Sequence, residues 1–549
     1  MIEKSMTMKK ILRNFLAGSA LALLALPAAA IPHLHKDGDN IQLLVDGSPF
    51  TMRGGELGNS SSSSLDYMEV VWPKAEEMHL NTLLVPVYWE LIEPQEGEFD
   101  FSLVQGLIER ARREEQKLVF LWFGSWKNSM STYVPSWVKR DSERFPRARS
   151  ADGQPQEILS PFGPENVAAD SRAFAALLRF IEKVDARRNT VLMVQVENEI
   201  GMLPSARDHH PLADRAFESE VPEVLLGYLD ERRDKLEPEL LDAWRSSDFS
   251  TSGSWAEVFG QGPAAEEIFT AWHFARYANA VAAAGKAEYP LPMYVNAALN
   301  RPGVKPGDYP SGGPLPHLMD VWKAAAPAVD LLVPDFYNPR FQHWNDRYTR
   351  QGDPLFIPEI RFTPDVGAKA MFAFGRYNTL GFSPFSIETG RDEARQSLRH
   401  SYELIAQLDE IIADGSIASE GVWLTKDKPQ MTFQLGDYRF TARHELTLGW
   451  SPGADADQWP HAGAMVLQTG PEDFIVAGTG VVLTFASGEA SEGASEGARA
   501  GIDVLYEGEF EDGEWQPGRR LNGDQSHQGR HLRIPDGEWQ IQKLKLYRY

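Results

Sequence analysis

Two short segments carry residue types that could cut an acetal. The first is Val191-Leu192-Met193-Val194-Gln195-Val196-Glu197-Asn198-Glu199-Ile200-Gly201, an apolar run that stops abruptly at three polar residues. The second is Pro354-Leu355-Phe356-Ile357-Pro358-Glu359-Ile360-Arg361, again apolar until a glutamate. Breaking a glycosidic bond takes two carboxyl groups that flank it. One protonates the departing oxygen and the other acts from the opposite face as nucleophile or base. A glutamate at the end of a buried strand is held rigidly enough for either part. Alternation along an extended strand puts Glu197 and Glu199 on one side and Asn198 on the other until the strand bends. Taken alone, either Glu197 or Glu199 reads better as a structural ion-pair partner.

The elements around them supply the frame. Short apolar runs occur at Thr51–Leu57, Asn81–Val87, Leu118–Phe123, Val191–Val196, Pro292–Ala297, Asp330–Pro334, Leu355–Ile360 and Phe382–Ile387. Amphipathic helical patterns lie between them, among them Leu103–Glu115, Ser171–Val184, Glu266–Ala284 and Ala368–Thr379. Eight strands alternating with helices predict a parallel (β/α)₈ TIM barrel over residues 31–415, closed by the helix Ser397–Ala413. In that count Glu199 ends strand four and Glu359 ends strand seven, across the mouth from one another. The stretch 201–262 is a long insertion after strand four, on the face where barrel active sites lie. Phe269, Trp272 and Tyr277 recur at helical spacing and read as core. Beyond residue 415 the texture becomes alternating strands with Gly/Asp/Pro turns, which predicts an all-β, sandwich-like domain over 416–549. Ser487–Gly501 repeats Ser-Glu-Gly-Ala and reads as a polar loop.

Composition limits the partners. The chain has 549 residues, a net charge of −24 and no cysteine. A strongly acidic field disfavours nucleic acid and anionic lipid, and the missing thiols exclude disulfides and thiolate chemistry. Lys9, Lys10 and Arg13 precede an apolar run, Phe15 to Leu26, ending in Pro27-Ala28-Ala29-Ala30. This pattern describes a signal peptide over residues 1–30, cut near Ala30, with export to the periplasm or beyond and no later membrane span. His209-His210 read as a loop pair rather than a metal site, and neither metal nor cofactor is expected.

Gln195-Val196-Glu197-Asn198-Glu199-Ile200-Gly201 closely resembles the Gln-Val-Glu-Asn-Glu-Tyr-Gly signature of glycoside hydrolase family 35 β-galactosidases. Trp89-Glu90-Leu91-Ile92-Glu93-Pro94, with Gly97, Phe99 and Phe101, is similar to that family's Trp-Asn-x-His-Glu-Pro segment; Gly54-Gly55-Glu56 and Pro135-x-Trp137 match as well. The resemblance covers residues 40 to 415. It implies a clan whose acid/base, here Glu199, ends strand four and whose nucleophile, here Glu359, ends strand seven. It also implies that Asn198 bonds the sugar 2-hydroxyl. Tyr337 looks like the clan's tyrosine that orients the nucleophile, with a plain rim aromatic as the alternative. If Glu359 lies beside Arg361 or Tyr337 it stays the anion, and Glu199 holds the proton of the pair.

The departures fall on sugar recognition. Glu90 stands where the family has Asn, Ile92 where it has His, and Lys127-Asn128 where it has Ala-Glu. Glu56, Glu90, Lys127 and Asn128 are therefore expected hydroxyl partners. Trp122, Trp126 and Tyr133 are candidates to stack on a sugar face, Trp126 foremost. The reading that results is a retaining exo-β-galactosidase. Its expected substrates are galactosylated oligo- or polysaccharides of plant cell walls, such as those with xyloglucan side chains. The alternatives are another glycosidase of the clan, such as a β-glucosidase or endo-glycanase, and a carbohydrate-binding protein with an inactive barrel.

Overall fold

The computed structural model describes residues 30–38, 40–300, 303–377, 379–488 and 499–549. The signal-peptide expectation lies outside these residues, apart from Ala30. Among them no helix is long and apolar enough to cross a membrane.

Eight parallel strands close into a barrel: Met52–Glu56, Thr82–Tyr88, Lys117–Lys127, Val191–Asn198, Met293–Ala298, Leu331–Phe336, Phe356–Ile360 and Gly381–Pro384. They match the eight expected runs to within a few residues. A parallel strand covered on both faces must be apolar on both, so these segments read as continuous rather than alternating runs. All seven residues of strand two and all eight of strand four are buried. Strand eight pairs with strand one, Gly381 beside Met52 and Phe382 beside Arg53, which shuts the ring.

Helices form the outer layer with their apolar stripes inward. Ser102–Arg113 buries Val104, Leu107, Ile108 and Ala111, an i, i+3, i+4, i+7 set. Pro263–Glu288 buries Phe269, Trp272 and Tyr277, as their spacing predicts. Inside the barrel a separate core is built from Met52, Leu84, Val119, Leu121, Met193, Tyr294, Val333 and Phe356. A small antiparallel sheet over residues 33–49 closes the amino end, adding Leu43 and Val45 to that core. The insertion after strand four folds into four short helices, Pro211–Phe217, Glu223–Glu231, Pro238–Arg245 and Trp255–Phe259. His209 and His210 are half-buried rather than exposed, and the His210 ring caps the first of these helices by accepting from Leu212 N–H.

The carboxyl-terminal region forms a six-stranded and a four-stranded antiparallel sheet around a shared core that includes Val422, Phe433, Phe440, Val466 and Phe474. The larger sheet sits directly on the barrel helix Val366–Tyr377. Contact is backbone to backbone: a Cβ on Gly421 would stand 2.1 Å from the Phe372 carbonyl oxygen, and one on Gly463 would stand 2.4 Å from Ala368 Cα. Only glycine permits this approach.

Candidate active site

The carboxyl ends of strands one, three, four, six and seven deliver charged side chains to one buried place. Glu56 ends strand one, Lys127 strand three, Glu199 follows strand four, Asp335 lies near the end of strand six, and Glu359 near the end of strand seven. Each is at most 6% exposed. Four carboxyl groups therefore surround one ammonium group, and they cannot all be ionised in so poorly solvated a site.

Their order of ionisation follows from the neighbours. Burial raises Glu359, but Lys127, the Tyr337 hydroxyl and Asp335 oppose the rise. Tyr337 O–H donates to Glu359 Oε1. Arg361 does not take that part: its guanidinium lies 5.4 Å from the centre of the Tyr337 ring and backs it. Glu199 is pushed up to about 7, first by burial and then by the Glu359 charge. Burial and the charges of the other carboxylates hold Asp335 and Glu56 well above the usual carboxylate range. Glu359 is thus the first of the four to become an anion, and Glu199 follows near neutrality. One anion beside one poised acid is what double displacement at an acetal requires.

Backbone strain aims Glu199. Glu197 and Glu199 both have left-handed backbones, φ 60° and 44°, a conformation that costs a non-glycine residue of order 1–3 kcal/mol and collects at functional sites. The twist breaks the alternation expected from an extended strand. Glu197 does not share a side with Glu199; its Oε2 accepts from Trp126 N–H at 2.7 Å, and its carboxyl lies beside Asp170 on the helix Pro164–Asp185. Glu199 turns into the mouth, where Asn128 Nδ2 donates to Oε2 and Asn296 Oδ1 accepts the Glu199 backbone N–H at 2.9 Å. Asn198 is fully buried, and neither its Oδ1 nor its Nδ2 has a partner among the described residues. An unmade pair of buried hydrogen bonds is costly unless a ligand completes it.

The expected sugar-binding residues divide. Glu56, Lys127, Asn128 and Tyr337 gather around the carboxylates, Asn198 is the register partner of Lys127, and Tyr337 keeps 41% of its surface exposed at the rim. Glu90 instead pairs with Lys139 at 2.9 Å. Trp126 is not a platform. It is fully buried, edge-on to Phe274 and Tyr277 at 5.3 and 4.6 Å. The reason is a bulge: between Trp122 and Lys127 strand three runs five residues while strand four advances two, from Val196 to Asn198. The extra residues turn Trp126 out to the helix layer and bring Lys127 inward. Trp122 is likewise core, donating to Asp170 at 2.8 Å. Tyr133 is half-buried and stacks on Tyr88, centroids 5.6 Å apart. Asp335 and Asn296 were not anticipated from the sequence. The one signal for Asp335 is an acid closing the apolar run Leu331-Leu332-Val333-Pro334, two residues before Tyr337. No group of three or more His, Asp or Glu side chains among the described residues is arranged to hold a metal ion.

Residues 68–268 match the glycoside hydrolase family 42 model, described as Beta-galactosidase, and residues 398–533 match a Domain of unknown function (DUF5597). The family named is therefore 42, where the sequence motifs resemble family 35; β-galactosidase is common to both. A Beta-galactosidase of Xanthomonas manihotis is 30% identical over 217 residues, 37% of this chain and 33% of that relative, so the chain aligns with about a third of its length. Among solved structures, β-galactosidase from Bacillus circulans sp. alkalophilus is 14% identical with a TM-score of 0.46, covering 66% of this chain and 57% of that one. The enzyme from psychrophilic Marinomonas ef1 is 13% identical with a TM-score of 0.47, covering 67% and 62%.

Proposed function

We propose that the chain is a retaining exo-β-galactosidase that removes terminal β-D-galactose from plant cell-wall oligo- or polysaccharides, those bearing xyloglucan side chains among them, outside the cytoplasm. The observation that carries this reading is the pairing of two buried glutamates from strands four and seven in unlike surroundings: Glu359 accepts from the Tyr337 hydroxyl near Lys127, which favours its anion, and Glu199 is pushed up to about 7 by burial and the Glu359 charge. In the first step Glu359 attacks the anomeric carbon while Glu199 protonates the glycosidic oxygen. In the second, Glu199 takes a proton from water, the water oxygen bonds the anomeric carbon, and Glu359 leaves as a carboxylate. Asn198, with its unmade hydrogen bonds, holds the 2-hydroxyl. The depth of the carboxylates, 5% and 6% exposed, favours a pocket around one terminal sugar over an open groove. The match of residues 68–268 to the β-galactosidase family model supports the choice of sugar.

A panel of nitrophenyl glycosides and galactosylated oligosaccharides tests the reading, with the anomer of the released sugar followed by NMR. The expected result is turnover of β-galactosides with β-galactose as first product. First release of α-galactose would overturn retention, preference for a β-glucoside would overturn the sugar, and no turnover of any glycoside would leave a binding protein.

A further inference from the structure

Asp335 belongs to neither of the two roles just described, yet it sits between the groups that fill them. Its Cα is the register partner of Glu359 on the neighbouring parallel strand. Register partners in a parallel sheet send their side chains to the same face, which here is the barrel mouth. The Asp335 carboxyl is within hydrogen-bonding reach of both Glu199 and Glu359. It is anchored on its far side, where Oδ2 accepts from Asn296 Nδ2, and the same Asn296 accepts the backbone N–H of Glu199. Oδ1 has no donor among the described residues, and the residue is 1% exposed.

Charge counting then constrains its state. The ionisable groups that face it are Glu56 from strand one, Lys127 from strand three, Glu199 from strand four and Glu359 from strand seven, with the Tyr294, Tyr337 and Tyr348 phenols around them. Lys127 can balance one anion, and Glu359 takes that place. A carboxyl packed against a second carboxylate, with no donor left for Oδ1, satisfies the contact only if it brings a proton itself.

We propose that Asp335 works as a neutral carboxylic acid whose O–H donates to whichever of Glu359 and Glu199 is charged, and so positions both through the two steps of the reaction. The inference rests on the reading of Glu199 and Glu359 given above. Before the first step the Asp335 O–H points at the Glu359 carboxylate. Glu359 then forms the C–O bond to the anomeric carbon, and the glycosidic oxygen leaves with the Glu199 proton. Glu359 is now a neutral ester and Glu199 the anion, so the O–H turns to Glu199. When water adds and gives its proton to Glu199, Glu359 departs as a carboxylate and the O–H turns back. The proton stays on Asp335 throughout. A fixed cation such as Lys127 cannot follow the charge in this way, because it favours both anions at once.

Two substitutions in the full chain separate a proton donor from an anion. Asp335→Asn keeps the shape, an acceptor for Asn296 and an N–H donor; Asp335→Ala removes all three. On a nitrophenyl β-galactoside, Asp335→Asn is expected to lower kcat by less than about fivefold, and Asp335→Ala by about 10- to 100-fold, the scale of one hydrogen bond to a charged group. Loss of the donor also moves both limbs of the pH profile of Asp335→Ala to higher pH, a change that mere loosening would not produce. Equal loss in the two variants would show that the charge is needed and overturn the proposal, as would wild-type behaviour of Asp335→Ala. Infrared spectroscopy at neutral pH provides a readout independent of turnover. A protonated-carboxyl band should be present in the wild type and reduced in Asp335→Asn, and an unchanged band would overturn the proposal even if the variants prove inactive or unstable. Absence of turnover in the wild type would instead count against the hydrolase reading alone.

Discussion

Glu197 and Glu199 stand two positions apart on one strand end and serve different surroundings. Glu197 accepts a hydrogen bond from Trp126 N–H beside Asp170, on the helix side, while Glu199 faces Asn128 and Glu359 in the mouth. Left-handed backbones at both positions make the separation. The strain falls at the carboxyl group proposed as proton donor, and it is held by the packing of strands three to five around it.

Substitution of the pair is the first test of the proposed chemistry. Glu199→Gln is expected to lower turnover of unactivated galactosides by about 10²- to 10⁴-fold, the range of a lost general acid, with a smaller effect on bond breaking in activated nitrophenyl substrates. Glu359→Gln should lose at least as much on every substrate, since it removes the nucleophile. Wild-type kcat in either variant would sink the assignment.

The pH profile should be bell-shaped, with its alkaline limb near 7 from Glu199, whose protonated form is the active one. Glu359 must be ionised, so activity falls as pH drops through its pKa. Tyr337→Phe removes a hydrogen bond that lowers that pKa; the acidic limb therefore moves to higher pH while the alkaline limb stays. Lys127→Gln removes a cation that lowers both groups, and both limbs should move up. A downward shift in either variant contradicts the electrostatics described.

Asn198→Ala should show whether the two unmade hydrogen bonds wait for a hydroxyl. Contacts to the 2-hydroxyl strengthen in the transition state and supply several kcal/mol, so kcat/KM for a galactoside should fall by about 10²-fold or more. For the matching 2-deoxygalactoside the same substitution should cost far less. Equal losses on the two substrates would place Asn198 elsewhere in the site.

Stability should depend on Glu197 through pH. Burial and then Asp170 raise its folded-state pKa well above the usual value, so its contribution is full below the unfolded pKa of about 4.3 and is lost as pH rises toward the folded value. Thermal melts of Glu197→Gln should therefore decline less between pH 4 and pH 9 than those of the wild type. A parallel decline would mean that Glu197 is ionised in its buried site.

Trp126 gives a contrasting case. As a fully buried ring against Phe274 and Tyr277, its replacement in Trp126→Ala should cost about 3–5 kcal/mol of stability, read by denaturant unfolding. An increase in KM for galactosides without any loss of stability would return it to the sugar site.

Much of this molecule is local, and what is local was legible. The eight barrel strands are apolar runs of the right length because each is buried on both faces, and the polar residues that end runs four and seven mark the mouth whatever the closure of the ring. Asn198, at the end of run four, and Tyr337, just past run six, were singled out by the family resemblance. What the chain alone could not disclose is how residues far apart in sequence meet. The five-against-two bulge took Trp126, expected at the sugar site, out to the helix layer and left Lys127 among the carboxylates. The positive φ values parted Glu197 from Glu199, and strand register set Asp335 beside Glu359. Periodicity reports which face of a strand is buried, but direction at a bulge and neighbours across a closed sheet are settled by hydrogen-bond register and side-chain packing between distant segments. The four-carboxylate cluster, and with it the order in which its members give up protons, exists only once the barrel has closed.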